Sequence, residues 1–231
     1  QTADQIYSAM QEWKDLNVVA DRNIDDVLEK SGYPTKVSEA LGRARDVGAG
    51  KMIWGTLNPP AGRLQLWDVK SGIRMREVRD ETIERSSPAT TLVRLLRDPG
   101  WPAEADAALG KTRSFAAWQA YGRAHSFLKK WDVVSALTEF DRAAASDNDF
   151  ASARLWSAQI RSWIEDQTSA DSIALTRDAR FAAAHDSLLP PGEALLARAL
   201  KALTAADFAS ACAEYRKLIA SDSTHFIAWH G

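Results

Sequence analysis

A short pattern that returns at a fixed distance constrains this chain more than any other feature. Ala136, Phe140 and Ala143 set a small, an aromatic and a small residue on one helix face, and Asp147-Asn148 ends the run. Ala211, Tyr215 and Leu218 repeat the spacing, Asp222-Ser223 ends it again, and the interval from Ala136 to Ala211 is 75 residues. The small residue lets two helices approach, the aromatic fills the gap beside it, and the aspartate breaks the helix. Helical-hairpin repeats of this kind run to ~34 residues, so the interval holds two repeats plus short insertions. One eroded hairpin therefore belongs between the two copies. Segments Phe150 to Ile164 and Ser169 to His185 supply its helices. After Leu189-Pro190-Pro191-Gly192, Glu193 to Leu203 opens the next hairpin, and Phe226 to Gly231 starts a further one.

In the first copy, Trp118, Tyr121, Gly122 and His125 precede that pattern at helical spacing. Together these residues resemble the tetratricopeptide (TPR) repeat family over about residues 112–231. The resemblance implies an all-α, TPR-like helical-hairpin array occupying residues 99–231 and truncated at its C-terminus. In that family the first helix of each repeat lines a concave face. The resemblance places Gln119, Arg123 and Ser126 on that face, with Gln159 and Ser162 as looser members of the same candidate peptide groove. An Arg123 that lines a groove is expected to be exposed on it.

The first half has a different texture. Ile6, Met10 and Trp13 predict a helix over 3–14, Leu16 to Ala20 a short β-branched strand, and Ile24, Val27 and Leu28 a second helix with Asp21 as its N-cap. A third helix is expected over 36–47, ended by Gly48 and Gly50. Lys51 to Leu57 reads as a buried strand, Asn58-Pro59-Pro60-Ala61-Gly62 as a turn, and Leu64 to Val69 and Ile73 to Val78 as a hairpin closed by Lys70-Ser71-Gly72. Ser86-Ser87-Pro88 caps a short helix, and Asp98-Pro99-Gly100-Trp101-Pro102 marks the boundary between domains 1–98 and 99–231.

The run Val47 to Leu57 followed by Leu64-Gln65-Leu66-Trp67-Asp68-Val69-Lys70-Ser71-Gly72 resembles the TolB N-terminal-like domain. The resemblance covers about residues 1–85 and implies a small α/β N-terminal domain, giving an α+β chain overall. Asp68 and Gly72 are turn residues in such domains, and no catalytic role attaches to them. This chain departs from the family in a shorter turn and second strand, and in lacking the strand that normally precedes the first helix. Such domains occur beyond the membrane in bacterial receptor-type serine/threonine kinases, ahead of TPR repeats. The resemblance thus implies a bacterial, extracytoplasmic (periplasmic) setting, with both ends of the sequence continuing into a longer protein.

Composition narrows the chemistry. Net charge is -2, so no basic field points to nucleic acid. One cysteine, Cys212, excludes an internal disulfide and a cysteine cage for a metal; beside Ala211 it reads as a small buried residue. The four histidines form no His-Glu-x-x-His, and His125 reads as a core residue. Gly48-Ala49-Gly50-Lys51 has a phosphate-loop look, but position 45 is Arg, position 52 is Met, and a strand follows where a helix must open. Asp147-Asn148-Asp149 reads as a helix stop, since a calcium loop needs a later glycine. The nine tryptophans are spread from Trp13 to Trp229, which reads as packing. No catalytic set, cofactor or metal is expected. The chain reads as a non-catalytic protein- or peptide-binding or sensory module of a larger bacterial signalling protein, with a permanently packed assembly subunit as the alternative, and with membrane attachment only through segments outside it.

Overall fold

The computed structural model describes residues 2–58, 61–80, 88–98, 100–101, 111–164 and 168–230. Within them lie eleven helices and one three-stranded antiparallel sheet, an α+β chain. The chain divides into two compact units, Gln1–Arg97 and Asp98–Gly231. Pro59-Pro60, Ser86-Ser87, Pro99 and Pro102, parts of the turn, cap and boundary expected above, fall outside the described residues.

The first unit runs α1 (Thr2–Gln11), α2 (Asp21–Ser31), α3 (Val37–Asp46), β1 (Lys51–Asn58), β2 (Ala61–Asp68), β3 (Ile73–Asp80) and α4 (Pro88–Leu96). The strands form a meander in the order β1-β2-β3. Its consecutive antiparallel strands make this unit α+β in kind, where a small α/β domain was expected, because no crossover helix joins parallel neighbours. Side chains alternate across the pleat. Ile53, Leu64, Leu66 and Val78 share the face that packs with Ile6 and Met10 of α1 and with Leu92 and Leu95 of α4. Gly55, opposite Leu64, is needed for this packing: a Cβ there would stand 2.4 Å from Leu64 Cδ2 and 2.6 Å from the Arg63 carbonyl oxygen.

The β2–β3 turn follows from Asp68. Its Oδ1 accepts from the Ser71 amide (2.8 Å) and hydroxyl (2.7 Å), and Gly72 turns the chain at φ +67. Lys51 Nζ sits 2.7 Å from the other carboxylate oxygen, and this contact, with the Ser71 bonds, holds the Asp68 carboxyl well below the usual range. Two local expectations are corrected here. Residues 16–20 form no strand; they pair with neither outer strand of the sheet, β1 or β3. Asp21 lies inside α2, whose N-cap is Ala20 with no side-chain hydrogen bond.

The second unit runs α5 (Phe115–Leu128), α6 (Val133–Ser146), α7 (Ala151–Ser162), α8 (Ser169–Ala184), a 3-10 turn (Asp186–Leu188), α9 (Pro191–Thr204), α10 (Phe208–Ser221) and α11 (Phe226–His230). Capping chemistry explains most of the starts. Ser114 Oγ accepts from the Ala117 amide, Thr168 and Asp171 form a capping box, and Pro191 occupies the first turn of α9. Consecutive helices pack as hairpins around two apolar clusters. In one, Tyr121, Phe140 and Phe150 are buried with Ala136 and Ala143; in the other, Leu196, Leu200 and Leu218 are buried with Ala211 and Tyr215. Truncating a buried Phe to Ala costs about 3–5 kcal/mol.

Candidate functional site

The first and third hairpins repeat one another atom for atom at their turns. Trp131 and Ala206 both take left-handed backbone, at φ 59 and 56. The next residues, Asp132 and Asp207, accept from the amides of Ser135 and Ser210, each at 3.1 Å. Both second helices end on an extended aspartate, Asp147 and Asp222. The interval is 75 residues at every one of these positions.

The repetition includes charge. Arg123 Nε donates to Glu139 Oε2 at 3.0 Å, and Arg142 Nη1 reaches Glu139 Oε1 at 2.7 Å. In the third hairpin Arg198 Nε donates to Glu214 Oε2 at 3.0 Å, and Lys217 Nζ reaches Glu214 Oε1 at 2.5 Å. Each clasp ties the first helix of its hairpin to the second. Arg123, expected in a groove, is half-exposed and spends its guanidinium on this clasp.

The other expected groove residues have separate fates. Gln119 is half-buried on α5. Ser126 Oγ bonds back to the Gly122 carbonyl at 3.0 Å, with the Gly100 carbonyl at 3.3 Å. Gln159 is 2% exposed, so it offers no open surface; α7 packs between α6 and α8 and touches α9, which covers nearly its whole circumference. Its Nε2 donates to Ser162 Oγ, whose hydroxyl donates to the Gln159 carbonyl. Of the five, Gln159 is the one closed off from solvent.

Cys212 is exposed, a correction to the expectation of burial. Ala211, Tyr215 and Leu218 take the buried face of α10, and the next residue round from Ala211 points away from it. Two tryptophans, Trp131 and Trp229, are largely exposed, while Trp118 is fully buried as expected. His125 lies in the core among Tyr121, Phe140 and Trp156, ring centroids 4.5–5.0 Å away, and burial lowers its pKa to about 3, with Lys129 adding to the shift.

A second charged group braces the middle hairpin. Arg161, 7% exposed on α7, binds Asp141 of α6 through both terminal nitrogens, at 3.0 and 2.6 Å. Asp178 of α8, 2% exposed, accepts from Arg154 Nη1 at 3.0 Å and from Arg177 at 2.9 Å. Paired guanidinium–carboxylate geometry of this kind fixes helix register.

The first helices of all three hairpins meet at one carboxylate, that of Glu193 on α9. Trp156 Nε1 donates to Oε1 at 3.0 Å, Ser152 Oγ donates to Oε2 at 2.8 Å, and the Tyr121 hydroxyl approaches Oε1 at 3.4 Å. Burial pushes the Glu193 carboxyl above its usual range, against the pull of these three donors and of Lys111. Burial and the neighbouring carboxylate likewise push Tyr121 well above the phenolic range. The set contrasts with the other poorly exposed carboxylates of the described residues. Glu77, Glu139, Asp178 and Glu214 each face at least two cationic groups within 4.0 Å, whereas the hydrogen-bond donors to Glu193 are neutral and the charge of Lys111 acts on it from farther off.

Sequence reading took Glu193 as the opening of a helix and missed this role. The signal was present in the repeat: at the 75-residue interval Glu193 stands where the first hairpin has Trp118, a fully buried position. The described residues contain no group of three His, Cys, Asp or Glu arranged to hold a metal ion. No helix of the described residues is long and apolar enough to cross a membrane. The arrangement around Glu193 is one that receives positive charge or a proton. Comparison with protein families, with curated proteins and with solved structures finds no match to this chain.

Proposed function

We propose that the second unit is a TPR-like scaffold that binds a protein or peptide, and that the chain is a non-catalytic interaction or sensory module of a larger bacterial signalling protein. The observation that carries this reading is the 75-residue repetition of turn, cap and clasp between the first and third hairpins. Stacked hairpins that repeat in this way leave their first helices side by side, an extended surface suited to a linear ligand. In the same reading the first unit is a TolB-like companion domain in an extracytoplasmic setting. Selection of random peptides displayed on phage against the whole chain tests the reading. Enrichment of sequences that bind saturably as synthetic peptides supports it; the absence of any such peptide, together with no partner captured from bacterial extract, overturns it.

A second reading, a subunit packed permanently in an assembly, draws on the apolar residues exposed at the starts of second helices: Trp131, Val134 and Phe208 are 60%, 75% and 64% exposed. Sedimentation of the isolated chain as a well-behaved monomer at high concentration counts against it.

A further inference from the structure

We propose that Glu193 is a recognition site for a cationic group, an alkylammonium such as a lysine side chain or a free N-terminus, carried by the ligand that lies along the first helices. The inference rests on the peptide-binding reading for its ligand, and on three features of the site for its chemistry.

The first feature is the imbalance of charge. Burial of a carboxylate is ordinarily offset by a guanidinium or ammonium partner. The clasps at Glu139 and Glu214 and the brace at Asp178 follow that rule within the same unit. Glu193 has no such partner within 4.0 Å: α5 and α7 supply uncharged donors to it, and the charge of Lys111 acts on it only from farther off. The second feature is spare acceptor capacity. A carboxylate offers about four lone-pair directions. Oε1 takes the Trp156 and Tyr121 groups, but Oε2 takes Ser152 alone. The third is access and lining. The carboxyl itself lies deep although the Glu193 residue as a whole is only half-buried, so a ligand reaches it past the rings of Trp156 and Tyr121 that flank it. Aromatic faces attract an ammonium that has left water.

Burial raises the carboxyl pKa and a bound cation, like the nearby charge of Lys111, lowers it, so affinity rises with pH across the range where this carboxyl titrates.

The test uses the whole chain and small probes of defined charge. n-Butylammonium chloride is titrated against the protein while the Trp156 indole N–H resonance is followed, with n-butanol as the neutral isostere. The expected result is a saturable shift with a dissociation constant of about 1–10 mM, stronger at pH 8 than at pH 5, and absent with butanol. E193Q keeps the shape and acceptor and loses the charge; its affinity for butylammonium is expected to fall about tenfold or more. No response to butylammonium, or an equal response from butanol or from folded E193Q, overturns the proposal. Failure of the two readings is distinguishable. Selected peptides that lack any basic residue and bind E193Q as well as the native chain sink the cation site and leave peptide binding standing. Butylammonium binding without any selected peptide does the reverse.

Discussion

Arg123 and Glu139 are joined Nε to Oε2 at 3.0 Å across the first hairpin, and the same two atoms of Arg198 and Glu214 meet at 3.0 Å across the third. A contact reproduced in this way at a 75-residue interval is a property of the repeat, although Arg198 also reaches Asp186 at 2.7 Å. The Arg–Glu contacts of the two clasps should therefore be energetically alike, with the exposed Asp186 pair adding little at Arg198. R123Q and R198Q are each expected to cost about 1 kcal/mol, the discount from a buried pair reflecting their exposed guanidinium edges. Urea denaturation of each variant and of the double variant checks this; additivity within about 0.5 kcal/mol is expected for sites this far apart.

Gly122 exists for Trp101. A Cβ at position 122 would stand 2.4 Å from two atoms of the indole, which also makes an edge-to-face contact with Trp118 at 4.8 Å. G122A is expected to destabilise the second unit by about 1–3 kcal/mol, the range for overpacking. In a W101A background the sign should reverse, since alanine is the better helix former by up to about 1 kcal/mol. A double-mutant cycle in urea reads both values.

Burial of neutral His125 makes the second unit sensitive to acid. Its folded pKa of about 3 lies below the value near 6.5 that an unfolded histidine has, so the unfolded chain takes the proton first. The stability tied to the neutral ring is fully present above the unfolded value and is lost as pH falls through that window, at up to about 1.4 kcal/mol per pH unit. The repeat itself indicates the replacement: Leu200 holds the equivalent position in the third hairpin. H125L is expected to flatten the slope of urea midpoint against pH between 6.5 and 4.5.

Glu193 acts in the opposite sense. Its folded pKa is raised, so the native state holds the proton more tightly than the unfolded chain does. Its favourable contribution is complete below the unfolded value and is lost as pH rises through the folded one. E193Q, which cannot ionise, is expected to melt at higher temperature than the native chain at pH 8, with the difference shrinking toward pH 4. Thermal unfolding followed by circular dichroism at the two pH values measures it.

In the first unit, G55A brings a Cβ against the Arg63 carbonyl as well as the Leu64 side chain, and backbone cannot move aside as a rotamer can. A loss of about 1–3 kcal/mol is expected, confined to the first unit. Hydrogen exchange on β1 and β2 amides, compared with amides of α5 and α6, tests that confinement.

Much of the second unit was legible from local signals. Small and aromatic residues at helical spacing marked Ala136, Phe140 and Ala143, and all three are fully buried. Aspartates at the breaks marked the ends of α6 and α10. The turn at Asp68 to Gly72 was equally plain, because its hydrogen bonds close within four residues. The strand expected at 16–20 was not, since a β-branched run becomes a strand only where the tertiary fold lays it along another strand, and here it does not. Burial of Gln159 and exposure of Cys212 also escaped, because each depends on how many helices surround the one that carries it.

By itself the sequence determined the features that local spacing encodes: the period of the repeat, the helix breaks, the glycine turns, and the absence of spacing for a cysteine cage. The tertiary structure alone decided where charge resides. Arg123 looked like a groove residue and is a clasp; Glu193 looked like a helix opening and is the carboxylate on which three helices converge. Ser152 and Trp156 share one face of α7, but only packing of the hairpins brings Tyr121 and Glu193 within hydrogen-bonding distance of that face.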